Sequence, residues 1–308
     1  MSARASLPQS LVWALLGATF TLTACDDPLK SVSLIEETRV LGARIEVESD
    51  PTRSSPRPGE QATLRLFVAA PSEPLALSYA LSVCAVSPVK SGFPSCAGAP
   101  FASAQRVEPV ASAPELTFRV PAELNLAATP HGFASALVCP HSALNNDDSG
   151  VPRCFDEAGT EVSFEFDLGG PDYENHSPSI TAGALTLDGE PWLASETAAC
   201  PGDLPAVGGG SKHSFAITLQ EADFESLPRT TAIEPGREKL LVSQFGSAGK
   251  LDHAFLSVDA DTPLADRQVT WDAPRASGDL PTLVRFYFVV RDARGGEDFA
   301  TRALCVGP

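Results

Sequence analysis

Basic residues are scarce in this 308-residue chain: 22 Lys and Arg stand against 39 Asp and Glu, a formal net charge of −17. So acidic a surface repels phosphate backbones and anionic headgroups, which excludes nucleic acid as a partner. The excess acid otherwise reads as a solvated surface. Trp and Tyr number only three each, too few for the row of exposed rings by which a sheet face holds sugars. The five histidines, at 131, 141, 176, 213 and 253, are scattered, and none sits at ligand spacing near a cysteine. No Cys-x-x-Cys occurs, which removes a zinc site. Apolar runs long enough to cross a membrane are missing; the longest, Leu11 to Leu22, is cut short by Asp26 and Asp27.

Catalytic signatures are absent too. The chain has no His-Glu-x-x-His, no Gly-x-Ser-x-Gly and no dinucleotide fingerprint. A Ser-x-x-Lys at Ser247–Lys250 and a Lys90-Ser91-Gly92 stand in the wrong order for a penicillin-binding enzyme and read as chance. Gly208-Gly209-Gly210 lacks the helix and lysine of a phosphate cradle and reads as a loop. No enzyme, metal or cofactor is therefore expected. An active site would have to be assembled from distant residues, such as His213 or His253 with an acid and a serine.

Proline is plentiful, with 27 residues, and the apolar fraction is 43%. That apolar content supports a packed core, and that much proline suits sheets joined by turns better than long helices. Period-two alternation is explicit at Leu41, Ala43, Ile45 and Val47, and again at Val162, Phe164, Phe166 and Leu168. Further strands are expected at 64–68, 75–84, 116–120, 133–139, 184–187, 215–219, 239–245, 253–258, 269–272, 283–291 and 299–306, with turns between. Glu221–Leu227 is the one stretch that suits a short helix. The fold class is all-β: two antiparallel β-sandwich domains, at 37–170 and 180–308, joined by a polar linker at 171–179. Two motifs look duplicated. Leu116–Pro121 matches Val269–Pro274 in type, and Leu81-Ser82-Val83 echoes Leu256-Ser257-Val258.

Residues 1–24 have the weakly basic start and apolar run of a secretory signal. They end in Leu22-Thr23-Ala24-Cys25, which resembles the lipobox of bacterial lipoproteins. The resemblance implies cleavage before Cys25, a lipid on its sulfur, and attachment to a bacterial membrane, with residues 25–36 as a tether. Asp26 fits the rule by which some lineages retain lipoproteins in the inner membrane.

Setting Cys25 aside leaves six cysteines, an even number for an oxidising compartment. Six allow 15 pairings. Cys84 and Cys139 end expected strands while Cys96 and Cys154 follow in polar loops, so Cys84–Cys96, Cys139–Cys154 and Cys200–Cys305 are favoured.

The ending from Val289-Val290-Arg291-Asp292 through Gly295-Gly296 to Cys305, with Trp271-x-x-Pro274 before it, resembles bacterial immunoglobulin-like domains of the PKD and cadherin-like kind. That kinship implies a sandwich and no chemistry. Calcium of the cadherin-like sort would use Asp172–Glu174 with Asp292 or Asp298. The oxygen-rich run Asn145–Gly150 lacks the glutamate an EF-hand needs at its last position and reads as a hydrated loop. Asn175-His176-Ser177 is a glycosylation sequon in form only. The function expected is non-catalytic binding, adhesion or scaffolding in the cell envelope, with an envelope protein or a glycan as partner.

Overall fold

A computed structural model of the chain describes residues 31–308, apart from 72–74, 87–93, 128, 156–158, 171–172, 195–198, 201, 228–235, 260–267 and 276–277. The expected signal, Cys25 as the expected lipid site, Lys90–Gly92 and Asp172 all lie outside the described residues.

The chain forms two immunoglobulin-like β-sandwiches in sequence. In the first, β1 (Arg39–Val47), β2 (Gln61–Ala69) and β5 (Glu115–Arg119) make one sheet in the order β1-β2-β5. The facing sheet runs β4-β3-β6-β9, from β3 (Leu77–Ala85), β4 (Ala102–Val110), β6 (His131–Pro140) and β9 (Thr160–Asp167). A small hairpin of β7 (Leu144–Asn146) and β8 (Pro152–Cys154) projects from it. Alternation dictates the packing: Ala43, Ile45 and Val47 of β1 face Leu81, Val83, Ala136 and Val138 across one core.

The second sandwich repeats this order. Its sheets are β11-β10-β13-β17-β15 and β12-β19-β18-β14-β16. They comprise β10 (Leu185–Leu187), β11 (Glu190–Pro191), β12 (Ala206–Gly208), β13 (Lys212–Ile217), β14 (Lys239–Gly246), β15 (Lys250–Leu251), β16 (Phe255–Asp259), β17 (Val269–Asp272), β18 (Thr282–Arg291) and β19 (Glu297–Gly307). The positions of β10, β13 and β17 match β1, β2 and β5, and β16-β14-β18-β19 matches β4-β3-β6-β9. The motifs at 116–121 and 269–274 therefore fall on equivalent strands. The echo of 81–83 in 256–258 does not, because β3 is a central strand and β16 an edge.

Aromatic packing fills the second core. Trp192, Trp271, Phe215, Phe286 and Phe288 are all 2% exposed or less, and the Phe286 ring centroid lies 4.9–5.2 Å from those of Phe215, Trp271 and Trp192. Gly249 is required here: its φ is +81°, and a Cβ would stand 2.2 Å from Trp271 Nε1.

Two of the expected elements take another form. Residues 221–227 give only a 3-10 turn, Glu221–Asp223. Glu225 beyond it turns to His176 and Arg294, and Pro228 disfavours helix at Leu227. At the other end, Ile35 of the expected tether is fully buried, its amide bonded to the Gly246 carbonyl at 2.9 Å. Ile35 finds its apolar contact there, between the sandwiches, with Leu41, Phe67, Phe245, Tyr287 and Val289.

Candidate functional site

Three places concentrate chemistry. The first is the junction of the sandwiches. Phe67 stacks on Phe299 with centroids 4.3 Å apart, and the Tyr287 hydroxyl donates to the Ala70 carbonyl at 2.8 Å. Beside this apolar contact, Arg291 donates to the Leu41 carbonyl at 2.6 Å, and Arg44 pairs with Asp298 at 2.5 Å. Glu297 accepts from the Ala43 amide at 2.7 Å and from Arg291 at 3.1 Å. Burial pushes the Glu297 carboxyl up to about 7, against the pull of Arg291.

A second polar group fills the other side of the junction. The β18–β19 turn is folded around Asp292, which accepts from the amides of Arg294 (2.6 Å) and Gly296 (2.8 Å) and from Asn175 Nδ2 (2.9 Å). Arg294 donates to Glu225 at 2.6 Å and to the Tyr173 hydroxyl at 3.1 Å, and it pairs with Glu238. Burial, with the nearby Asp292 charge, pushes Glu238 up to about 7 although Arg294 opposes the shift. Burial likewise raises the Asp292 carboxyl.

Carboxylates considered for calcium are thus already engaged. Asp292 and Asp298 take protein donors, and Glu174 pairs with Arg57. Arginines supply the positive charge between the sandwiches. Asp147 is engaged as well: bonds from Ser149, Arg153 and the Val151 amide hold its carboxyl below the usual range.

The second place is a groove of about 690 Å³ on the outer face of β4-β3-β6-β9. Ser103, Ser82, Ser135 and Ser163 stand in register as one row across the four strands. Gln105, Ala80, Leu137 and Glu161 form the next row. Val151 and Pro152 of the β7–β8 hairpin wall one end.

Residues from distant turns meet at the third place. Asp188 and Gly189, both at positive φ (52° and 87°), form the turn between β10 and β11, the two-residue form that an Asp-Gly pair favours. Pairing of β10 with β13 brings this turn beside His213. His213 Nδ1 lies 2.6 Å from Asp188 Oδ2, and His213 Nε2 lies 2.6 Å from Ser211 Oγ. Asp188 Oδ1 accepts the Ser214 amide at 2.8 Å. Desolvation raises the Asp188 carboxyl, but His213 and the Ser214 amide outweigh it and leave the group below its ordinary value. Of the two histidines considered for an assembled site, His213 finds an acid and a serine; the His253 ring meets its neighbour Asp252, at 3.2 Å, and no serine among the described residues.

The six cysteines pair as favoured, with Cα–Cα distances of 5.6 Å for Cys84–Cys96, 5.5 Å for Cys139–Cys154 and 5.9 Å for Cys200–Cys305. The last joins the start of the second sandwich to β19, where β12 pairs in parallel.

No family model matches the chain, and no curated protein matches it. Among solved structures it is similar to the fibronectin(III)-like modules of Clostridium thermocellum CbhA, at 8% identity and a TM-score of 0.21, over 85% of this chain and 94% of that one. A superposition that loose carries no argument about function.

Proposed function

We propose that this chain is a lipid-anchored binding or scaffolding protein of a bacterial cell envelope, held to its membrane through Cys25, in a role that needs no catalysis. The lipobox-like Leu22–Cys25 supports the anchor, and three disulfides suit an oxidising compartment. Two modules meeting at 171–179, of PKD or cadherin-like kin, are part of the same reading. The observation that carries the binding role is the groove on β4-β3-β6-β9. It is concave, backed by a rigid core and walled at one end by a disulfide-stapled hairpin.

Crosslinking in intact source cells, followed by purification, tests both parts. Cys25→Ala should release the protein from the membrane fraction, and Ser82→Trp with Ser135→Trp should abolish the dominant crosslink by filling the groove. Retention of Cys25→Ala on membranes sinks the anchor; an unchanged crosslink in the filled variant sinks the groove.

A glycan partner is the second reading, favoured by the row of four serine hydroxyls. Against it, Trp192, Trp271, Tyr79 and Tyr287 are buried and offer no ring for a sugar to stack on.

A further inference from the structure

We infer that Ser211, His213 and Asp188 form a nucleophilic relay in which Ser211 takes an acyl group from small activated esters. The argument begins at Asp188. An ionised carboxylate only accepts hydrogen bonds, so the 2.6 Å contact requires a proton on His213 Nδ1. In the neutral imidazole this leaves the lone pair on Nε2, aimed at Ser211 Oγ 2.6 Å away. That is the arrangement by which a base removes a hydroxyl proton as the oxygen attacks. Its parts come from different structural sources: Asp188 from the β10–β11 turn, His213 from β13, Ser211 from the turn that enters β13. The imidazole is held, with its side chain only 13% exposed and its ring 6.1 Å from that of Trp271.

The steps balance without a co-reactant other than water. Ser211 Oγ bonds to the ester carbonyl carbon while its proton passes to His213 Nε2. The ester C–O bond then breaks, and the leaving alcohol takes that proton. Water attacks the acyl-serine next, giving a proton to Nε2, and Ser211 recovers its proton as the acid departs.

Geometry also restricts the substrate. The Gly208 carbonyl lies against Ser211 Oγ and competes for its proton. The amides of Gly209, Gly210 and Ser211 are all committed, to the carbonyls of Gly307, Pro274 and Gly208. They are therefore not available to stabilise an oxyanion, and one such donor is worth about 10²–10³ in rate. A good leaving group has to make up the deficit, so acylation is expected to be stoichiometric and release slow. This goes beyond the binding role and does not depend on it.

The full chain treated with a fluorophosphonate probe should carry the adduct on Ser211, located by peptide mass spectrometry and blocked by prior 4-nitrophenyl acetate. Ser211→Ala should abolish labelling, and His213→Gln should slow it roughly 100-fold or more. Asp188 is a positioning residue. Asp188→Asn, which tolerates the left-handed backbone, should slow labelling about 10-fold or more and shift the His213 ring nitrogen-15 resonances to the other tautomer. Folded wild-type protein that gains no adduct on Ser211 overturns the inference, whether or not the variants fold. So does a labelling rate unchanged in His213→Gln.

Discussion

Glu297 of the second sandwich accepts a hydrogen bond from the backbone amide of Ala43 in the first, linking positions 254 residues apart. Gly42 makes the approach possible, since a Cβ there would stand 2.3 Å from Glu297 Oε2. Gly42→Ala should displace the carboxylate and leave a buried acceptor and the Ala43 amide poorly paired. A loss of about 2 kcal/mol is expected in urea unfolding. An unchanged midpoint would show that the junction yields without penalty.

Stability should fall as the medium turns from mildly acid to mildly alkaline. Glu238 and Glu297 titrate near 7 in the folded chain, well above the ordinary 4.5. Groups raised in this way add stability that is complete below about 4.5 and lost as the pH climbs through about 7. Asp50, Glu60 and Asp188 are shifted downward and act oppositely, costing stability only as the pH drops below their ordinary values near 4. Tm should therefore be higher at pH 5 than at pH 8, and Glu238→Gln with Glu297→Gln should flatten the slope. A wild-type Tm that rises over this interval contradicts the assignment.

Trp271 anchors the second core, fully buried, with its Nε1 donating to the Ala248 carbonyl at 3.0 Å. Trp271→Ala should cost about 3–5 kcal/mol. Phe155, 65% exposed, offers the contrast: Phe155→Ala should change stability by no more than about 0.5 kcal/mol. Chemical denaturation of both variants reads the difference.

The three disulfides should contribute unequally. Cys200 and Cys305 are 105 positions apart, against 12 and 15 for the other pairs. Loop-closure entropy gives roughly 4–5 kcal/mol for the long loop and about 3 for the short ones. Cys200→Ser with Cys305→Ser should lower the denaturation midpoint most. A smaller loss than from the Cys139–Cys154 pair would show that strain or residual structure in the unfolded chain dominates.

Most strands were legible because one face of each is wet and the other dry, so Leu41–Val47 and Val162–Leu168 announce themselves. Ala102–Val110 did not. As an edge strand carrying Gln105, Arg106, Glu108 and Pro109, it turns only the small Ala102 and Ala104 toward the core, too little apolar contrast to announce a period. His213 could be named as a candidate, but its partners were hidden for another reason. Ser211 and His213 are two positions apart, which alternation explains equally well, and Asp188 joins them only through the register of β10 on β13. Likewise nothing local marks Arg294 as the partner of Glu225 and Glu238; the β18–β19 turn had to be brought beside the segments before β14, 56 and 69 residues away, before the three could meet. The pairing of cysteines was readable because each short loop begins at a strand end.

The bond between Cys200 and Cys305 also governs how the molecule would answer a pull. Tension running from the first sandwich to the C-terminus passes through the sulfur bridge and bypasses the polypeptide from β12 to β18. Those strands can lose their shape, but they cannot be drawn out. The 105-residue span between the two cysteines would extend to roughly 350 Å, and all of it stays off the load path, so a tugged molecule lengthens chiefly at the expense of its first sandwich.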